Sequence, residues 1–112
     1  MIVEIPVRAI PAYSFQTVLN GQACSLRLLW RNGKLFCDLM VDNAYVWQGQ
    51  IVHDRTPLKN FRVTRFSGNF ILVDYEGADD PHYSGLGSRH RMFYITDDVA
   101  LPEDFQIRGT EV

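Results

Sequence analysis

The sequence predicts an all-β fold, a small antiparallel sandwich or barrel of about seven short strands. Two Asn-Gly pairs, Asn20-Gly21 and Asn32-Gly33, lie between stretches in which apolar and polar residues alternate. Asn-Gly favours the type I′ turn of a two-residue hairpin, and alternation is typical of half-buried strands. No stretch shows sustained helical periodicity, so helices are not expected to build the core.

The individual strands follow from the same patterns in chain order. The stretch IVEIPV, residues 2–7, predicts a first strand, and the two Asn-Gly pairs join the next three strands into a meander. Asp42-Asn43 predicts a third turn into a strand over residues 44–52, in which Gly49 indicates a bulge or bend. The remaining predicted segments are loops at 53–61 and 76–88, a short strand near 61–66, and strands at 69–75 and 89–96.

The length of 112 residues suits one domain. We expect that domain to span residues 1–96. The polar residues 97–112 are predicted to form a C-terminal tail that lies loosely on the surface or docks onto a neighbour. A one-turn helix around residues 99–105 is compatible with this sequence.

The charge balance gives no reason to expect a nucleic-acid or membrane partner. Eleven basic and 13 acidic residues leave a formal net charge of −2. The first residues lack the basic and apolar pattern of a signal peptide, and no apolar run approaches a membrane span, so synthesis in a cytoplasm is expected. Nine basic residues are Arg, which protein interfaces favour, although a biased genome composition would produce the same excess.

The reactive side chains do not form a catalytic pattern. The chain has two cysteines, Cys24 and Cys37, and three histidines, without zinc-ligand spacing or a nucleophile elbow. The cysteines are predicted to be small buried apolar residues, with a cross-strand disulfide as the alternative. We therefore predict a protein that is not an enzyme and that has no cofactor or metal.

One acidic stretch, residues 76–82, permits a second hypothesis. It gathers Glu76, Asp79, Asp80 and His82, whose oxygen atoms could bind a divalent cation. It lacks the spacing of a calcium loop, so a solvated acidic turn is the simpler interpretation. Gly85 and Gly87 follow without a phosphate-binding motif and are expected to serve the loop geometry.

Arg89 and Arg91 alternate with His90 in the last predicted strand. They could pair with carboxylates across an interface, or they could protect an edge strand from unwanted pairing. A double reversal of charge, Arg89→Glu with Arg91→Glu, is expected to leave the fold intact and to block assembly. The candidate interface residues are Arg89, Arg91, Asp79, Asp80, His82 and Tyr83.

Several short motifs occur in a characteristic order along residues 2–96. An early F-x-x-x-L-x-G comprises Phe15, Leu19 and Gly21, and the strand with Arg27 and Trp30 follows it. The later motifs are D-P and L-G-x-R-x-R, formed by Asp80, Pro81, Leu86, Gly87, Arg89 and Arg91. In this order the chain resembles the baseplate plug proteins of contractile-tailed phages, whereas residues 97–112 match no motif of that family.

The resemblance implies a structural component of a phage, prophage or tailocin baseplate, made in the host cytoplasm and located in the virion tail. Its expected partners are the hub, spike and tube proteins around the centre of the baseplate, with several copies in the assembly. The family brings no catalytic residues. The alternative is a small metal-binding or ligand-binding β domain that uses the acidic loop 76–82, which a thermal melt with calcium, magnesium or zinc would reveal.

Overall fold

The computed structural model describes residues 1–59 and 66–106 of the chain. These residues form two antiparallel sheets in a sandwich-like arrangement, which confirms the all-β prediction. The strands are β1 (Ile2–Ile5), β2 (Ala12–Leu19), β3 (Gln22–Arg31), β4 (Lys34–Val41), β5 (Ala44–Ile51), β6 (Asn69–Asp74) and β7 (His90–Ile95).

Strands β2, β3, β4 and β5 form the larger sheet in that order, joined by three tight hairpins. Both residues of each Asn-Gly pair have positive φ, from 51° to 76°, as a type I′ turn requires. Asp42 and Asn43 make the third turn with φ of 52° and 66°. The predicted meander and its continuation into β5 are therefore confirmed.

Strand β5 carries the predicted bulge. Its register with β4 shifts at two points, between Cys37 and Leu39 and between Leu39 and Met40. Opposite the first shift, Gly49 has a φ of 64°, and its N–H donates to the Asp38 carboxylate at 2.6 Å. Glycine adopts this left-handed backbone without steric cost, so the position suits a bulge.

Strands β1, β7 and β6 form the smaller sheet, with β7 between the other two. The interpretation of Arg89 and Arg91 as protection of an edge strand is therefore wrong, because β7 is the central strand. The outer edge of β6 is covered by residues 52–59. In that segment the N–H groups of Arg55 and Leu58 donate to two carbonyls of β6 at 2.7 and 2.9 Å.

The main core lies between the two sheets. It includes both cysteines, which are buried and free, so the prediction of small buried residues is confirmed. Burial raises the pKa of Cys37 to about 12 and leaves it unreactive. The larger sheet supplies chiefly Leu26, Leu28, Leu35, Leu39 and Trp47, and the smaller sheet Phe70, Leu72, Met92 and Tyr94.

A second apolar cluster covers the outer face of the smaller sheet. The segment 97–106 folds back across this face, and Phe105 is only 6% exposed there. A 3₁₀ helix, Glu103–Phe105, occupies the place where a one-turn helix was anticipated. The cluster consists of Ile71, Val73, Phe93, Ile95 and Phe105, with Val99 and Leu101 packed against it.

The strand predicted near residues 61–66 falls on residues outside the described part of the chain, except for Phe66. Phe66 is buried in the main core, where its ring stacks on Phe70 with 5.5 Å between centroids. The strands predicted at 69–75 and 89–96 are present as β6 and β7, each slightly shorter.

Candidate interaction surface

The segment from Tyr75 to Arg89, hereafter the β6–β7 loop, contains the predicted interface residues apart from Arg91, which lies in β7. The structure does not gather these residues into one site. It distributes them over four sets of contacts, which involve a buried carboxylate, an ion pair, a group of aromatic rings and a stacked guanidinium. Each set fixes a different part of the loop.

Asp74, the last residue of β6, is fully buried and organises the loop through its carboxylate. Arg89 forms a bidentate pair with it, since Nε and Nη2 each donate at 2.8 Å. The backbone N–H groups of Glu76 and Asp79 donate to the same carboxylate at 2.9 Å. The Arg89 guanidinium, with these amides, holds the pKa of Asp74 well below its usual range despite its burial.

Arg89 and Asp79 are thus brought together, but within the chain. Nη2 of Arg89 donates to the Asp79 carboxylate at 2.8 Å, where Asp79 is 78% exposed and Arg89 33% exposed. The pairing of Arg89 with Asp74 and Asp79 changes the expectation for Arg89→Glu. A second carboxylate beside buried Asp74 would repel it, so that variant is expected to disturb the fold and is unsuitable as a test of binding.

Arg55 closes the inner side of the loop and was not singled out from the sequence. Its side chain is buried and all its guanidinium nitrogens donate hydrogen bonds. The acceptors are the Asp54 carboxylate at 2.6 Å and the carbonyls of Asp74, Gly77 and Asp104 at 2.9 to 3.0 Å. Arg55 therefore joins the β6–β7 loop to the segment that covers the second core.

Asp80 connects the β6–β7 loop to residues 52–59. One carboxylate oxygen accepts from the Asp54 N–H, and the other lies near Nδ1 of His53, both at 2.9 Å. Partial burial alone would raise the pKa of Asp80, but these hydrogen bonds outweigh it and lower the pKa. Asp80 remains largely exposed and negatively charged.

His82 and Tyr83 pack against the end of β3. The Trp30 ring lies 4.5 Å from the His82 ring and 5.6 Å from the Tyr83 ring, measured between centroids. Nδ1 of His82 accepts from the backbone N–H of Ser84 at 3.2 Å and so caps the short 3₁₀ helix Tyr83–Gly85. This aromatic group attaches the middle of the loop to the larger sheet and leaves His82 exposed.

Arg91 stays at the surface. Its guanidinium carbon lies 4.8 Å above the centroid of the Tyr75 ring, and Nε donates to the Ser88 carbonyl at 3.1 Å. Tyr75 is itself among the exposed large apolar residues. The pair presents one positive charge and one aromatic ring, both of which are enriched at protein interfaces.

Gly85 and Gly87 serve the shape of the loop, as predicted. Gly87 has a φ of 85°, and a Cβ there would lie 2.5 Å from the Val7 carbonyl oxygen. A Cβ on Gly85 would lie 2.6 Å from Nδ1 of buried His90. Neither ring nitrogen of His90 makes a hydrogen bond with the described residues.

The acidic residues do not converge on a cation site. In residues 1–59 and 66–106, no group of three or more His, Cys, Asp or Glu side chains is placed to hold a metal ion. Asp79 and Asp80 have separate partners, Arg89 and His53. None of the helices in the same residues has the length and apolar character needed to cross a membrane.

Sequence reasoning missed two of the residues that shape this surface, Asp74 and Arg55. Asp74 had a local signal, because a carboxylate that directly follows the apolar run Phe70–Val73 is placed at the end of a buried strand. Arg55 had none, since its acceptors come from residues 54, 74, 77 and 104.

Residues 2–97 match a family model described as the cyanophage baseplate Pam3 plug gp18. The matched region includes both sheets and the whole β6–β7 loop, and it ends where the segment over the second core begins. No curated protein matches the chain. The match spans most of the sequence and agrees with the motif order found in it, so the chain belongs to the family of phage baseplate plug proteins.

Proposed function

We propose that this protein acts at the centre of a contractile tail baseplate, of a phage, a prophage or a tailocin. There it would join the hub, spike and tube proteins through protein–protein contacts, in several copies per tail. Its family is one of structural baseplate plugs, which implies a part in the virion tail and a role without catalysis. Synthesis in the host cytoplasm would precede assembly.

The observation that carries the proposal is the rigid attachment of the β6–β7 loop. A loop of this length would ordinarily lose much conformational entropy on binding. Here the Asp74 carboxylate, Arg55 and the Trp30 ring hold it at three places before any partner arrives. A prearranged loop suits a docking surface, because less ordering remains to be done on assembly.

The exposed groups on this loop and on the adjoining start of β7 define the contacts that we expect. Arg91 with Tyr75 offers a positive charge on an aromatic ring, and Asp79 and Asp80 offer carboxylates nearby in the sequence. His82 adds an exposed ring. Arg, Tyr and His side chains of this kind form charge-assisted hydrogen bonds and stacking contacts with partner proteins.

The proposal is tested by co-expression with the hub, spike and tube proteins encoded beside this chain. Light scattering behind size-exclusion chromatography should show a stable complex and give its stoichiometry. A protein that binds none of these neighbours would contradict the proposed function.

The contact surface is tested by Arg91→Glu, with Arg27→Glu as the matched control. Both residues carry a charge at the protein surface, but Arg27 lies on the larger sheet and only approaches Asp38 at 4.0 Å. We expect Arg91→Glu to weaken the complex and block tail assembly while its melting temperature stays near that of the wild type. Equal binding by Arg91→Glu and wild type would overturn the assignment of this surface but not the baseplate role.

A further inference from the structure

Strand β2 forms one edge of the larger sheet, and that edge is open among residues 1–59 and 66–106. Leu19 and Gln22 flank a two-residue turn and therefore exchange hydrogen bonds, which fixes the alternation along the hairpin. The N–H and C=O groups of Ser14, Gln16 and Val18 consequently point away from β3. No backbone hydrogen bond from the described residues reaches them.

The other three sheet edges in the described part of the chain are protected. Residues 52–59 cover β6, and β5 is interrupted by two register shifts. Strand β1 has only four residues, carries Glu4 and is followed by Pro6. Charge, proline, bulges and covering loops are the usual devices against edge pairing. Within the described residues, β2 itself carries no charge, no proline and no register shift, and Pro11 lies just before its first residue, Ala12.

The open edge lies beside a groove between the two sheets. The groove has a volume of about 470 Å³ and is lined by residues 5–8, at the end of β1 and just after it, and by residues 13–17 of β2. Tyr13 and Phe15 stack here with 5.6 Å between ring centroids, and both are only half-buried. Val18, near the end of the same strand, is 71% exposed.

The edge is also electrically neutral over an unusual length. Residues 9–26 contain no Asp, Glu, Lys, Arg or His in a chain of which 21% is charged. A neutral edge can lie against an identical edge without like charges meeting, whereas most other strands of this protein could not. The charge pattern thus favours a second copy of the chain as the occupant.

We propose that two copies of this protein pair through β2, antiparallel and about a two-fold axis at Gln16. The open backbone groups alternate at residues 14, 16 and 18, so this axis places Gln16 opposite its own copy and Ser14 opposite Val18. The same register sets Phe15 beside Thr17 of the second copy and fills each groove with an aromatic ring. The two four-stranded sheets become one continuous sheet across an isologous interface.

Sedimentation velocity over a range of concentrations tests this pairing with the purified full chain. The wild type should show a reversible dimer. Gln16→Lys places two like charges directly opposite each other and should weaken the dimer about tenfold or more. Ser25→Lys is the matched control, because Ser25 faces Gln16 on β3 and carries the same new charge one strand away from the edge.

A mixture of Gln16→Lys and Gln16→Glu tests the two-fold register itself. Opposite charges then face each other, so the mixed dimer should form more tightly than either variant alone. A wild type that stays monomeric at every concentration would overturn the proposal, as would a dimer that Gln16→Lys weakens no more than Ser25→Lys does. These outcomes are independent of binding to the hub, spike or tube.

Discussion

At the scale of single residues, Asp74 shows how one buried carboxylate can shape a long loop. Its oxygens accept from both ends of the β6–β7 loop, from the amides of Glu76 and Asp79 in its first residues and from the side chain of Arg89 at its end. A buried charge is tolerated only when such partners compensate for lost hydration. Loop geometry and the charge of Asp74 are therefore mutually dependent.

Replacement of Arg89 by alanine should be strongly destabilising, because it leaves the Asp74 carboxylate buried without its cation. Removal of one partner of a buried pair is strongly destabilising because the other charge stays buried without compensation, and the partial exposure of Arg89 moderates the loss. Urea unfolding would measure the loss. Arg91→Ala, which removes only a surface stacking contact, should cost about 1 kcal/mol or less. Equal losses for the two variants would contradict the role assigned to Asp74.

His90 should make stability depend on pH in mildly acidic solution. Burial is the main cause that lowers its pKa; Arg89 lowers it further, whereas Asp74, 3.9 Å away, and Asp54 oppose the shift. As the pH falls, His90 therefore binds a proton in the unfolded chain at a higher pH than it does in the folded chain. Folding free energy is lost as the pH falls below about 6.5. Asp74 also contributes stability, because the hydrogen bond from Arg89 lowers its pKa in the folded state. That contribution is lost only as the pH falls below about 4.

His90→Leu separates these two effects. The variant should unfold with a smaller dependence on pH than the wild type between about pH 6.5 and 5, in chemical denaturation at a series of pH values. Below that range both proteins should lose stability together as carboxylates protonate. Identical pH profiles for the two proteins throughout would exclude His90 as the group responsible.

At the scale of elements, the turns and the glycines carry most of the local information. A series of Gly→Ala variants separates the cost of a positive φ from the cost of a steric clash with the added Cβ. Gly77→Ala should be nearly neutral, since its Cβ meets only ordinary contacts. Gly21→Ala should cost about 1 kcal/mol, because its φ is 76° but the surrounding space is empty. Gly87→Ala should cost more than either, since positive φ is combined with a clash against the Val7 carbonyl. Thermal melts that gave the reverse order would refute this account.

The features that the sequence could predict are those that depend on neighbouring residues, and the others depend on distant parts of the chain. The meander was predictable because Asn-Gly turns and period-two alternation are local, and Gly49 marked the bulge within its own strand. The position of β7 between β1 and β6 was not predictable, because it depends on which distant strands pair. The candidate interface residues were chosen by residue type, whereas their contacts within the chain, such as that of Asp80 with His53, depend on distant parts of the sequence.

At the scale of the whole molecule, the smaller sheet is buried on both faces. Its inner face packs in the main core, and its outer face is covered by the segment 97–106. Arg55 links this segment to the β6–β7 loop through the Asp104 carbonyl. The covering segment and the candidate interaction surface are therefore physically connected.

Phe105→Ala tests whether residues 97–106 stabilise the domain. Loss of a nearly buried phenylalanine typically costs about 3–5 kcal/mol, and here it would also uncover Phe93, whose ring centroid lies 4.7 Å away. Urea unfolding should show a loss of about 3 kcal/mol, whereas Tyr45→Ala, at an exposed aromatic on β5, should cost under about 1 kcal/mol. Similar small losses for both variants would mean that the segment merely rests on the sheet.

A large loss confined to Phe105→Ala would mean that a chain cut after residue 96 lacks part of its own core. The hub-binding measurements should then use the full chain, because the loop that we expect to bind depends on the same segment through Arg55.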